Sequence, residues 1–259
     1  MYEEILNIIY NYAFNYKLPD VKFIDSVLDV IIDKELKKYI KNVEHNYQSF
    51  ALASYLYENK ILRFNIDMII VQYSNFYQAH KKIYDIDDFN KYLYMCLSVL
   101  EIIFHEVEHV VQSKKINTLP ADNFEKQLIE ISTIAVEVYP DLYDKRHDLF
   151  FIERDANIKS CQKIKEMISL CELSPRSIKN NFNKRYNQLV NKYYSYDNYP
   201  LLMFLEITHG KLSYNDLPIE EYNTERILAS TKDNLSFEDR VLMGLPLDRK
   251  EYHKLRRLK

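Results

Sequence analysis

The chain has 259 residues, 47% of them apolar, and a formal net charge of -3; this is a folded protein with enough apolar surface for one large domain or two smaller ones. A balance this close to neutral makes no overall case for nucleic acid or a membrane surface as partner. Two glycines and seven prolines argue against a turn-rich β protein and for long helices joined by short polar connections.

The 23 tyrosines, beside many Ile, Lys and Asn, read as the bias of an AT-rich coding sequence and carry no functional signal by themselves. Cys96, Cys161 and Cys171 are scattered without a C-x-x-C spacing, which fits a reducing compartment. Met1-Tyr2-Glu3-Glu4 is acidic where a signal peptide would be basic, and no uncharged apolar run reaches the length of about 18 residues that a membrane span needs. The expectation is a soluble cytoplasmic protein with no membrane partner.

Residues 2–17 carry Ile5, Ile8, Ile9, Tyr12 and Phe14 at helical spacing and stop before Leu18-Pro19-Asp20. Residues 21–44 repeat the pattern through Val21, Phe23, Ile24, Val27, Leu28, Val30 and Ile31, then run into Lys34-Glu35-Leu36-Lys37-Lys38, so a second helix is expected. At 49–66 the texture changes. Ser49 to Tyr57 and Ile61 to Asn65, separated by Glu58-Asn59-Lys60, read as two strands joined by a polar turn, and a sheet edge there could pair with an extended peptide.

A helix is expected at 66–81, and Asp87-Asp88 caps a longer one from Phe89 to about Lys114. Its first half is apolar on most sides, with Leu93, Met95, Cys96, Leu97, Val99, Leu100, Ile102, Ile103 and Phe104, as in a central buried helix. Helices follow at about 121–138, closed by Pro140, and from Leu149 to Leu170, after a polar loop at 141–147. Ser174-Pro175 opens another, running to about Lys192. Further helices are expected at 201–208, 218–230 and 236–243, and a basic helix or tail from Asp248 to Lys259. This gives a predominantly helical α+β chain in three parts: N-terminal helices at 1–48, a core at 49–172 with a small sheet beside a central helix, and a C-terminal helical region with a basic tail at 173–259.

The central helix contains His105-Glu106-Val107-Glu108-His109. Residues four apart share one helix face, so both imidazoles can reach one metal ion. Glu106, about 100° round the helix from His105, stands where a general base for a metal-activated water would sit. The plain alternative is a buried helix with two satisfied core histidines. Against it, Glu101, His105, Glu106, Glu108 and His109 interrupt a stretch apolar on every side, and charges are rarely buried without partners.

Gln112 and Lys115 occupy the positions three and six after His109, so no third histidine follows in the metzincin manner. A carboxylate on a second helix is then the expected third ligand to zinc. Glu153 is favoured because Asn157, four residues on, shares its face and can hydrogen-bond a ligand histidine from behind. Glu130, Glu137, His147 and Asp155 are rivals. Glu101 and Gln112 share the histidine face and are further candidates to support the ligands. His147, His209 and Tyr222 are conceivable donors to an oxyanion, and the basic tail, Arg249 to Lys259, reads first as a solvated segment.

His105-Glu106-x-x-His109 followed by Glu153-x-x-Ala156-Asn157 resembles the ImmA/IrrE-type metallopeptidases of the zincin superfamily over roughly residues 51–165. The resemblance implies a zincin-like core, zinc on His105, His109 and Glu153, Glu106 as general base, and Asn157 supporting the ligands. It also implies a protein or peptide substrate, in that family often a transcriptional regulator such as a repressor. The chain departs from the family's pattern at Glu108, where a small residue is usual, and in the long stretch from Val110 to Ile152, which the expected helix at 121–138 accounts for. Two alternatives remain. One is a non-catalytic regulatory or interaction module on the same scaffold, which has no chemical need for Glu106; the other is an accidental motif in an all-helical protein, which requires Glu153 to lie far from both histidines.

Overall fold

The computed structural model describes residues 1–45, 51–84, 88–121, 123–138, 150–170 and 249–258, with isolated positions between 140 and 237. These residues are predominantly helical and include one three-stranded sheet. The boundaries expected at 48/49 and 172/173 lie outside the described residues, as do Cys171, the loop at 141–147 and, apart from isolated positions, the helices expected between 175 and 243. Among the described residues no helix is long and apolar enough to cross a membrane.

Helix α1 (Tyr2–Phe14) has Glu3 and Glu4 in its first turn, where the helix dipole favours negative charge, and buries Ile5, Leu6, Ile9 and Ala13. It ends with Tyr16 in the left-handed region (φ 52°), while Tyr16 N–H bonds Ala13 O and Lys17 N–H bonds Tyr12 O, the paired closing bonds of a Schellman terminus. Helix α2 (Val21–Ile31) is capped by Asp20, whose carboxylate accepts from the Phe23 N–H at 2.9 Å and from the Tyr12 hydroxyl at 2.7 Å. One side chain thus starts α2 and ties it to α1.

The helical reading of residues 21–44 is corrected beyond Ile31. A short 3-10 helix spans Leu36–Tyr39, and strand β1 covers Asn42–His45. The charged run after Ile31 offers no apolar stripe to hold a helix on the core, whereas β1 gains a ladder of hydrogen bonds by pairing. The two strands expected downstream are present as β2 (Ala53–Leu56) and β3 (Ile61–Phe64). β3 is central, parallel to β1 and antiparallel to β2, with Val43 and Tyr55 flanking Leu62. Leu62 and Phe64 point into the core and are fully buried.

Helix α3 (Ile66–Tyr84) follows, then α4 (Asp88–Thr118), α5 (Phe124–Val138), α6 (Phe151–Leu170) and α7 (Arg249–Leu258). By its packing the chain divides into two compact units, Met1–Lys114 with Lys159–Tyr186 and Lys115–Ile158 with Asn187–Lys259. The first contains the main apolar core, built from α1, α2, β2, β3, α3, α4 and, in α6, Ile164, Met167 and Ile168. In the second, Ile129, Phe150, Ile152, Ala156 and Leu255 are buried, and the Ile152 N–H donates to the Ser132 hydroxyl at 3.3 Å. The basic C-terminal segment is a helix that packs on α5 through fully buried Leu255 rather than a solvated tail, with Lys250, Lys254, Arg256 and Arg257 exposed.

Candidate metal centre

Helix α4 is buried at nearly every position from Leu93 to Ser113; within that stretch Ile102, His105 and Val111 are the partly exposed ones. Such a helix is held on all sides, which is the rigidity a geometrically demanding site needs. His105 and His109 lie one turn apart, and their Nε2 atoms approach to 3.1 Å with the rings nearly perpendicular, at 85°. Two ligand nitrogens on a tetrahedral zinc, each about 2.0–2.1 Å from it, stand roughly 3.3 Å apart. The pair is therefore spaced close to what one ion would require.

Glu153 occupies the first turn of α6 and is 5% exposed. One ligand atom from each of His105, His109 and Glu153 lies within 4.8 Å of the others. Among the described residues this is the group of three that converges; Glu130 and Asp155 are half-buried and Glu137 exposed, and none of them belongs to it. The accidental-motif alternative predicted Glu153 far from both histidines, which is not where it lies. His147, His209 and Tyr222 lie outside the described residues.

The donor set fits a borderline divalent ion such as zinc: two imidazoles and one carboxylate, leaving a fourth position for water. Glu106, beside His105, is 5% exposed. Behind His109, the ring Nδ1 lies 2.9 Å from the Gln112 side-chain oxygen and 3.2 Å from the Tyr57 hydroxyl, and Tyr57 donates to that same Gln112 oxygen at 2.8 Å. Since an amide oxygen only accepts, this contact calls for the His109 proton on Nδ1, which would leave the Nε2 lone pair facing His105. Asn157, one turn after Glu153 on α6, is half-buried.

Glu101 and Glu108, also on α4, have other contacts. Glu101 accepts a hydrogen bond from the Cys161 thiol of α6 at 3.2 Å. Glu108 is 3% exposed and forms an ion pair with Lys163 of α6, whose ammonium also sits 5.5 Å from the Phe104 ring centre. A buried charge with a direct counter-charge is tolerable where a lone one is not. Two of these residues escaped the sequence reading. Tyr57 follows β2 and is one of 23 tyrosines, and Lys163 has no spacing relation to Glu108; only their position across the fold marks them.

Comparison with protein-family models, with curated proteins and with solved structures found no match to this chain.

Proposed function

We propose that this protein is a zinc-dependent metallopeptidase with a zincin-like core, in which His105, His109 and Glu153 hold the ion. The observation that carries the reading is the convergence of those three ligand atoms around a helix that also presents Glu106. Zinc bound there would supply Lewis-acid chemistry, polarising the scissile carbonyl and making water more acidic.

The chain's own residues do the rest. Gln112 and Tyr57 hold the His109 ring with its Nε2 turned toward the ligand set. Glu106 takes the proton of the attacking water on its carboxylate and hands it to the amine as the peptide bond breaks. Its burial limits exchange of that proton with bulk solvent. A regulatory protein of the repressor kind as substrate, and a cytoplasmic setting, are supported by the resemblance and composition alone.

The first test is metal analysis of protein purified without added zinc, beside His105→Ala and Glu153→Ala. About one equivalent in the parent and loss in both variants is expected; a parent without metal affinity ends the proposal. Glu106→Gln should retain zinc while losing peptide hydrolysis, read by mass spectrometry of a peptide library. Undiminished cleavage by that variant would take Glu106 out of its role.

A further inference from the structure

We propose that Tyr57 is a positioning residue, which decides which end of the Gln112 amide faces His109 and so locks the imidazole in the tautomer that can ligate a metal. This rests on reading the site as a metal centre and concerns how the chain prepares one of its ligands.

Three groups form a closed triangle. Tyr57 Oη and Gln112 Oε1 are 2.8 Å apart, His109 Nδ1 and Gln112 Oε1 2.9 Å, and Tyr57 Oη and His109 Nδ1 3.2 Å. With the Gln112 oxygen facing both groups as it does here, one proton arrangement satisfies every side: the tyrosine hydroxyl and the Nδ1–H both donate to the amide oxygen, and the phenol oxygen lies close enough to share the Nδ1–H. With Nδ1 bare, its lone pair would face that of the amide oxygen at 2.9 Å. The proton would then sit on Nε2, 3.1 Å from His105 Nε2, where it blocks coordination.

Gln112 alone does not decide between these states. Turned over, its amide would offer N–H to Nδ1 and favour the wrong tautomer, since glutamine presents a donor at one end and an acceptor at the other. In the observed arrangement the Tyr57 hydroxyl donates to the Gln112 oxygen, and this bond holds the acceptor end of the amide toward His109. Tyr57 is itself held from the sheet. Its ring packs edge-on to Tyr55 with centres 5.1 Å apart, and the Tyr55 hydroxyl is anchored on the Tyr39 carbonyl at 2.7 Å. The residue just after strand β2 thereby sets a proton on helix α4, 52 positions along the chain.

The test combines nitrogen-15 NMR of the histidine rings in metal-free protein at alkaline pH with zinc affinity measured by chelator competition. His109 should carry its proton on Nδ1 in the parent. Tyr57→Phe should give a mixture of tautomers and weaken zinc binding about tenfold, within the 10–100-fold range expected for partners of a ligand histidine. Gln112→Glu has acceptor oxygens at both ends, so in the Tyr57→Phe background it should restore both the tautomer and the affinity, a rescue that mere packing would not produce. A parent His109 protonated on Nε2, an unchanged Tyr57→Phe, or a Tyr57→Phe defect that persists in the double variant each overturns the proposal. Should Tyr57→Phe melt early, the parent tautomer and a Gln112→Leu variant decide it. Failure of the parent to bind zinc would instead sink the metal reading, and the metal-free NMR distinguishes the two.

Discussion

Glu108 and Lys163 illustrate how one buried charge dictates another. With Glu108 at 3% exposure and paired to Lys163, removing only the lysine strands a carboxylate in a low-dielectric interior. Lys163→Met should therefore destabilise the protein by about 3 kcal/mol in urea unfolding. Adding Glu108→Gln should recover much of that loss, and neither change should abolish metal binding. Asp20 works at the surface. Partial burial pushes its carboxyl up, but hydrogen bonds from the Tyr12 hydroxyl and the Phe23 N–H outweigh that and hold it below the ordinary carboxylate range. A depressed folded value means stability that is present above the unfolded value of about 3.9 and lost as pH falls through the lower folded one. Asp20→Ala should cost about 1 kcal/mol near neutrality, with the gap to the parent closing in acid. A gap that stays constant down to the acid limit would show that the charge contributes nothing.

Among the elements, β1 and α4 differ in how openly they announce themselves. α4 combines an acidic first turn at Asp88 with a long apolar run and a four-residue histidine spacing, all readable within its own 31 residues. β1 has four residues, no strong apolar alternation, and a parallel partner that lies beyond β2 in the chain. Its pairing comes from β3, so nothing inside residues 42–45 could disclose it. The cross-strand pair of Arg63 and Glu44, 2.7 Å apart and about one-third exposed, adds little by itself. Glu44→Ala should change stability by less than about 1 kcal/mol, whereas Leu62→Ala in fully buried β3 should cost roughly 2–5 kcal/mol. A shift of the urea midpoint in the reverse order would contradict the view that burial of the central strand holds the sheet.

For the whole molecule, the proposed metal site links ligand binding to folding. Zinc at a hundredfold excess over its dissociation constant should stabilise the metal-free protein by about 2.7 kcal/mol. Calorimetry should show the gain in the parent and its absence in His105→Ala and Glu153→Ala. What the sequence determined by itself is local: the helix bearing His105, Glu106 and His109, the hairpin of β2 and β3, and a short set of third-ligand candidates headed by Glu153. Those features depend on residues within a few positions of each other, where helical or strand periodicity fixes which side chains meet. The tertiary structure alone decided that Glu153 and not Glu130, Glu137 or Asp155 approaches the histidines, that β1 is a strand, that Lys163 neutralises Glu108, and that Tyr57 stands behind His109. Each joins residues far apart in the chain, and their approach is set by the packing of elements, which no local spacing encodes.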